Sequence, residues 1–208
     1  MSRKLGFFLL GISIFASFVF FSYLTHKDLF TQFDFDTTVR LQDNISQRFD
    51  LIFSFLSDIG SFEPVTIFLL ILLVLARKLG GIFSVFFYGA FHLFEIFGKI
   101  FVEHLPPPEF LLRTEKIMEF PRFHIRQEFS YPSGHAGRAV FISAIIAVFL
   151  FKSKKLSKFQ KLFIFSIVLS YDLLMLVSRV YLGEHWTTDV IGGALLGLSM
   201  GLLSGVFL

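Results

Sequence analysis

The chain has 208 residues, 54% of them hydrophobic, with 32 phenylalanines and a mean hydropathy of +0.72. Repeated apolar stretches of about 20 residues exclude an ordinary soluble domain and predict an all-α integral membrane bundle. No cysteine is present, which excludes disulfides, thiolate zinc sites and thiol catalysis. The net charge of +3 reflects where the lysines sit and not a nucleic-acid-binding surface.

Residues 5–24 form an almost uncharged apolar run behind Arg3 and Lys4, too long for a signal-peptide core, and read as a first, uncleaved span. Residues 25–61 are mixed and carry Asp34, Asp36, Asp43, Asp50 and Asp58 among their charges. Within them Ile45, Phe49, Ile52 and Leu56 share a helical face, which suits a helix lying on the membrane or one packed on the bundle. Glu63-Pro64 opens a second span ending at Ala76, with the proline placed for a first helical turn. The third span covers 82–102 and is interrupted by His92, Glu95 and Lys99. A proline-rich connection over 103–132 follows. The fourth span covers 136–151, the fifth 162–177 and the sixth, rich in glycine for close helix packing, 190–208.

This gives six transmembrane helices in one domain: residues 1–61 supply the first span and an outer-side amphipathic segment, and 62–208 supply the core. Basic residues cluster at the N-terminus, at Arg77-Lys78 and between Lys152 and Lys161, which places those ends in the cytoplasm. The connections at 25–61, 103–135 and 179–189 then share the outer side.

Charged groups at membrane depth are costly and default to function. Three such clusters are expected at outer helix ends: Lys99; Ser133-Gly134-His135; and Ser178-Arg179 followed by His185 and Asp189. A helix beginning at Gly134 presents free N–H groups and a positive dipole end to an anion. The Ser133 hydroxyl either caps that helix or donates to a phosphate oxygen. Four residues apart at a helix start, Asp189 and His185 lie side by side, and the carboxylate leaves one ring nitrogen free to attack. Taken singly, these features are also an N-cap, an ion pair of Arg179 with Asp189 or Glu184, and a buried histidine. Lys99, Arg138 and Arg179 oppose a metal ion beside the two histidines, so the expected site has no metal and no cofactor. His26, His104 and His124 fall in connections and receive no role, and Glu95 is read as pairing with Lys99.

Pro132-Ser133-Gly134-His135, with Ser178-Arg179, five residues, His185, three residues and Asp189, resembles two signatures of the type-2 phosphatidic acid phosphatase (PAP2) superfamily. The family's remaining signature is a lysine, six residues, then Arg-Pro. Here Lys99 is followed at that distance by Pro106-Pro107, so proline stands where the family has arginine. The resemblance implies a metal-independent lipid phosphatase with His185 as nucleophile through a phosphohistidine, Asp189 orienting it, and His135 protonating the leaving oxygen. Lys99, Ser133, the Gly134 amide and Arg179 would hold the phosphoryl oxygens, and Arg126, ahead of Arg113, Arg122 and Arg138, would replace the missing arginine.

The implied partners are the bilayer and a lipid phosphate on the extracytoplasmic side: undecaprenyl diphosphate, phosphatidylglycerophosphate, phosphatidate or a lipid A phosphate. A polyprenyl diphosphate is preferred on resemblance alone. A compact, cysteine-free chain suits a bacterial plasma membrane. Rival readings are a phosphotransferase on the same scaffold and a lipid-binding or transport protein whose site lost turnover with the arginine.

Overall fold

The structure is a computed structural model, which describes residues 3–77, 79–114 and 128–208. Among these it forms α1 (Arg3–His26), α2 (Thr31–Asn44), α3 (Asp50–Ile59), α4 (Phe62–Ala76), α5 (Gly81–Phe101), α6 (Gly134–Lys152), α7 (Lys158–Tyr181) and α8 (Thr187–Gly205). Short 3-10 turns precede α3 and follow α5. Helices are the expected element here, because each satisfies its own backbone groups where no water is available.

Among the described residues five helices are long and apolar enough to cross a membrane: α1, α5, α6, α7 and α8. The expected second span is more complex than the sequence suggests. α4 alone has 15 residues, and it qualifies as a span only together with the preceding segment, from which it bends by 54°.

α8 and α6 make the centre. Gly193, Gly197, Gly201 and Gly205 recur every fourth residue on α8, and each faces α6: in turn the Ser133 carbonyl, the Gly137 carbonyl, Ala144 and Val148. Side chains missing along this stripe let the two backbones approach closely, and dispersion and backbone contact replace the hydrophobic drive that lipid cannot supply. α1 packs on the far side of α8, α5 also flanks α8, and α7 flanks α6. Around this centre lie Phe18, Leu69, Phe91, Phe141, Ile145 and Leu196. α1 and α7 expose Leu9, Phe20, Phe163 and Leu173 outward, as lipid-facing helices do.

α3 differs from the expected amphipathic pattern. Its buried face is Phe53, Ser54, Ser57 and Asp58, whereas Leu51, Ile52, Phe55 and Ile59 are exposed. Of the four residues expected to share its apolar contact, Phe49 and Ile52 face outward, and Ile45 and Leu56 pack beside Phe53, Tyr181 and Leu182. A helix whose polar side points inward is the pattern of a segment flanked by lipid on one side and a polar site on the other.

Candidate active site

The C-terminal ends of α5 and α7 and the N-terminal ends of α6 and α8 meet at one end of the bundle. They surround a cavity of about 370 Å³ lined by Lys99, His135, Arg138, Arg179, Glu184 and His185 among others. Glu95, Pro106 and Gly134 also reach it. The three clusters separated in sequence therefore share a single wall.

The start of α6 is fixed from two directions. The Ser133 side chain accepts a long bond from the Ala136 N–H at 3.5 Å, and the Ser133 N–H donates to the Asp189 carbonyl at 2.9 Å. Ser133 is fully buried as the helix cap, while Gly134 and His135 face the cavity. A Cβ at Gly134 would sit 2.1 Å from Glu95 Oε1 and 2.8 Å from Arg138 Nη1, so a side chain there would displace the ends of both charged groups.

Asp189 is wholly buried in the first turn of α8. Its Oδ2 accepts from the Trp186 N–H at 3.0 Å and faces His185 Nδ1 at 3.3 Å. The second ring nitrogen of His185 is thereby left to the cavity side. Burial lowers the affinity of His185 for a proton; the hydrogen bond and charge of Asp189 oppose this, and Arg179 and Lys99 add to it.

The cations are not bare. Arg179, 1% exposed, contacts the Glu184 carboxylate and the Ser57 hydroxyl of α3. Glu95 lies 3.7 Å from Lys99, 3.8 Å from Arg138 Nη1 and 3.0 Å from His92 Nδ1. Arg138 Nε also donates to the Gly60 carbonyl at 3.1 Å. Lys99, Arg138 and Arg179 thus bring three formal positive charges against two from Glu95 and Glu184. Among the described residues that line the cavity, one positive charge is in excess at the mouth of a helix dipole, which suits an anion.

Lys99, Gly134, His135, Arg179 and His185 meet at the cavity, with Asp189 behind His185 and Ser133 behind Gly134. Of the arginines that could stand in for the one Pro106 replaces, Arg138 lines the cavity. Arg113 is turned elsewhere, bonding the Gln42 carbonyl at 3.1 Å and lying over the Tyr181 ring. Arg122 and Arg126 lie outside the described residues. The pairing of Glu95 with Lys99 is present, widened to His92 and Arg138.

Sequence reasoning missed Asp34, His104, Thr188 and Ser57. His104 falls in a connection where the sequence gives it no role, yet it is buried with Nδ1 2.8 Å from Asp189 Oδ1. Asp34, on α2, accepts from the Thr188 N–H at 2.8 Å and from its hydroxyl at 2.6 Å. The available signal was weak: aspartates in an otherwise apolar chain, one of them in a helix with an apolar neighbour on either side.

Compared with known proteins, residues 69–207 match the profile of the PAP2 superfamily. The chain is 35% identical over 141 residues to an undecaprenyl-diphosphatase of Sulfolobus acidocaldarius, covering 68% of this chain and 60% of that one. It is 41% identical over 75 residues to phosphatidylglycerophosphatase B of Bacillus subtilis, covering 36% and 37% respectively. The matches thus span less than two thirds of either relative's length. Among solved structures, a transmembrane PAP2 type phosphatidylglycerolphosphate phosphatase from Bacillus subtilis superposes with a TM-score of 0.75 at 23% identity, over 93% of each chain. Aquifex aeolicus LpxE superposes at 0.63 and 22%, over 83% of this chain and 94% of that one. At such identities these two likenesses show a shared fold.

Proposed function

Since the chain belongs to the PAP2 superfamily, we propose that it hydrolyses a lipid phosphate or diphosphate through a covalent phosphohistidine on His185. The observation that carries this is the meeting of His185, backed by Asp189, with His135 and three cations around one cavity at the start of α6.

Lys99, Arg138, Arg179 and the Gly134 N–H hold the non-bridging phosphoryl oxygens. His135, protonated at the outset, is the general acid. Nε2 of His185 attacks phosphorus; the N–P bond forms as the bond to the leaving oxygen breaks. The electron pair departs with that oxygen, which takes a proton from His135. A water then gives its proton to His135 and attacks phosphorus, and the N–P pair returns to His185, releasing inorganic phosphate. Ser133 reaches a phosphoryl oxygen only by exchanging its long cap bond for that contact.

Both relatives act, by name, on lipids bearing phosphate on a long apolar body, and the substrate here is taken from that class: undecaprenyl diphosphate, phosphatidylglycerophosphate or a phosphatidate-like lipid. Phosphate release from a panel of these lipids by the detergent-purified chain, with EDTA present, tests the reading. Release from none of them by a folded protein would sink it.

Arg138 is assigned the place of the arginine replaced by Pro106. Losing one charge-assisted phosphate contact costs about 1.5–3 kcal/mol, so Arg138→Ala is expected to lower kcat/KM roughly 10- to 100-fold. Arg126→Ala should then leave kcat/KM near wild type. The reverse ranking would transfer the role to Arg126.

The site is assigned to the extracytoplasmic side, because Arg77, Lys154, Lys155, Lys158 and Lys161 stand at the opposite helix ends. With no native cysteine, Leu105→Cys should react with an impermeant maleimide in spheroplasts, and Lys154→Cys should not. Labelling of Lys154→Cys alone would invert the topology.

A further inference from the structure

Behind the nucleophile lies an alternating row of carboxylates and imidazoles. Asp189 Oδ2 faces His185 Nδ1 at 3.3 Å, Asp189 Oδ1 faces His104 Nδ1 at 2.8 Å, and His104 Nε2 faces Asp34 Oδ2 at 3.7 Å. Asp34 is 1% exposed, His104 7%, Asp189 0% and His185 9%, so these charges are screened much less than exposed ones. The row joins four parts of the fold: α2, the connection after α5, the turn before α8, and α8 itself. A carboxylate that only oriented His185 would not need a second imidazole on its other oxygen.

We propose that His104 is a positioning residue that carries a proton between Asp34 and Asp189 and so keeps His185 neutral and nucleophilic into mildly acidic conditions. This rests on His185 being the nucleophile of the reaction proposed above.

The proton belongs on His104 for a structural reason. Both oxygens of Asp34 already accept bonds, from the Thr188 N–H and hydroxyl, which suits a carboxylate and not a carboxylic acid. Asp189 likewise accepts from the Trp186 N–H. The ring is hydrogen-bonded to the Asp189 carboxylate at Nδ1, 2.8 Å, and has the Asp34 carboxylate within ion-pair range of Nε2, 3.7 Å, so two negative charges flank it and favour its protonated form.

The charged groups acting on His104 are Asp189 from α8, Asp34 from α2 and Asp28 from the α1–α2 turn. Burial works against its charge, but the bond to Asp189 and then these three negative charges outweigh it and raise the imidazole above its usual value. Burial raises the Asp34 carboxyl, opposed by the Thr188 bonds and by His104, with Asp189 adding to the rise. His185 is lowered, as described, so a window exists in which His104 is charged and His185 is not. One carboxylate away, the His104 cation offsets part of the pull of Asp189 on a proton at His185. Without that cation, His185 would protonate at higher pH.

The test is His104→Asn, whose amide nitrogen keeps a donor near Nδ1 but carries no charge. The acid limb of kcat/KM for lipid phosphate hydrolysis is expected to move to higher pH by roughly 0.5–1.5 units, the size of one weakly screened neighbouring charge. Asp34→Asn, which leaves Thr188 an acceptor, should move it in the same direction by less. A merely structural His104 would lower rates without moving the limb, and an unmoved limb in both variants would overturn the proposal. NMR titration of ring-labelled histidines in nanodiscs, assigned by single replacements, reads His185 without turnover. His185 should titrate at higher pH in His104→Asn than in wild type, and an unchanged His185 there overturns the proposal even if the wild type hydrolyses lipid. Absence of wild-type phosphate release with a shifted His185 would instead discard the phosphatase reading and leave the electrostatic coupling standing.

Discussion

Replacing His185 by alanine is expected to reduce phosphate release by about 10⁴- to 10⁶-fold, because a covalent route loses its nucleophile altogether. The remaining groups still bind and polarise the phosphoryl oxygens, so a small residual rate over water should persist. His185 is nearly buried but sits in a turn beside a cavity, and its loss enlarges that cavity without opening the α6–α8 contact. Substrate binding should therefore survive, and kcat should fall far more than KM changes. Rapid denaturation of wild type mixed with ³²P-labelled lipid diphosphate should recover label that is stable to alkali and lost in acid, as an N–P bond requires. Neither label nor turnover should appear in the variant. If His185→Ala kept turnover, or if EDTA silenced the wild type and added metal restored it, the phosphohistidine route would be abandoned.

The largest effect on stability is expected from a single methyl group. At Gly197 a Cβ would lie 2.0 Å from the Gly137 carbonyl oxygen, 2.8 Å from its carbon and 3.0 Å from its Cα. All three are backbone atoms of α6, so no side chain can rotate away and the helices themselves must separate. Such overpacking costs about 3 kcal/mol, or a fall of roughly 5–10 °C in Tm. Separation would also draw His135, on α6, away from His185, at the foot of α8, and misplacement of about 1 Å can cost on the order of 10²-fold in rate. Gly89→Ala supplies the contrast: among the described residues, nothing beyond its chain neighbours and its own helix backbone lies within 4 Å of a Cβ there, so it should be neutral or stabilise by about 0.5–1 kcal/mol through helix propensity. Equal melting of Gly197→Ala and wild type would show that the glycine stripe does not set the helix spacing.

The sequence by itself determined the membrane class, the helical fold and the residues that gather at the cavity. Apolar runs, the serine cap before Gly134 and the four-residue spacing of His185 and Asp189 are local features, and local geometry follows from neighbours along the chain. The glycine repeat of α8 likewise announces close packing without saying which helix it meets. Only the tertiary structure decided the partners that depend on contacts between distant segments. His104 reaches Asp189 across 85 positions and Asp34 reaches Thr188 across 154, and no periodicity encodes such pairs. Arg138 looks like a polar interruption in a span until α5 and α6 come together around Glu95. The same holds for α3. Leu51, Ile52, Phe55 and Ile59 are exposed, whereas Ser57 points inward to Arg179. Periodicity identifies two unlike faces of a helix; the surroundings decide which of them is the inside.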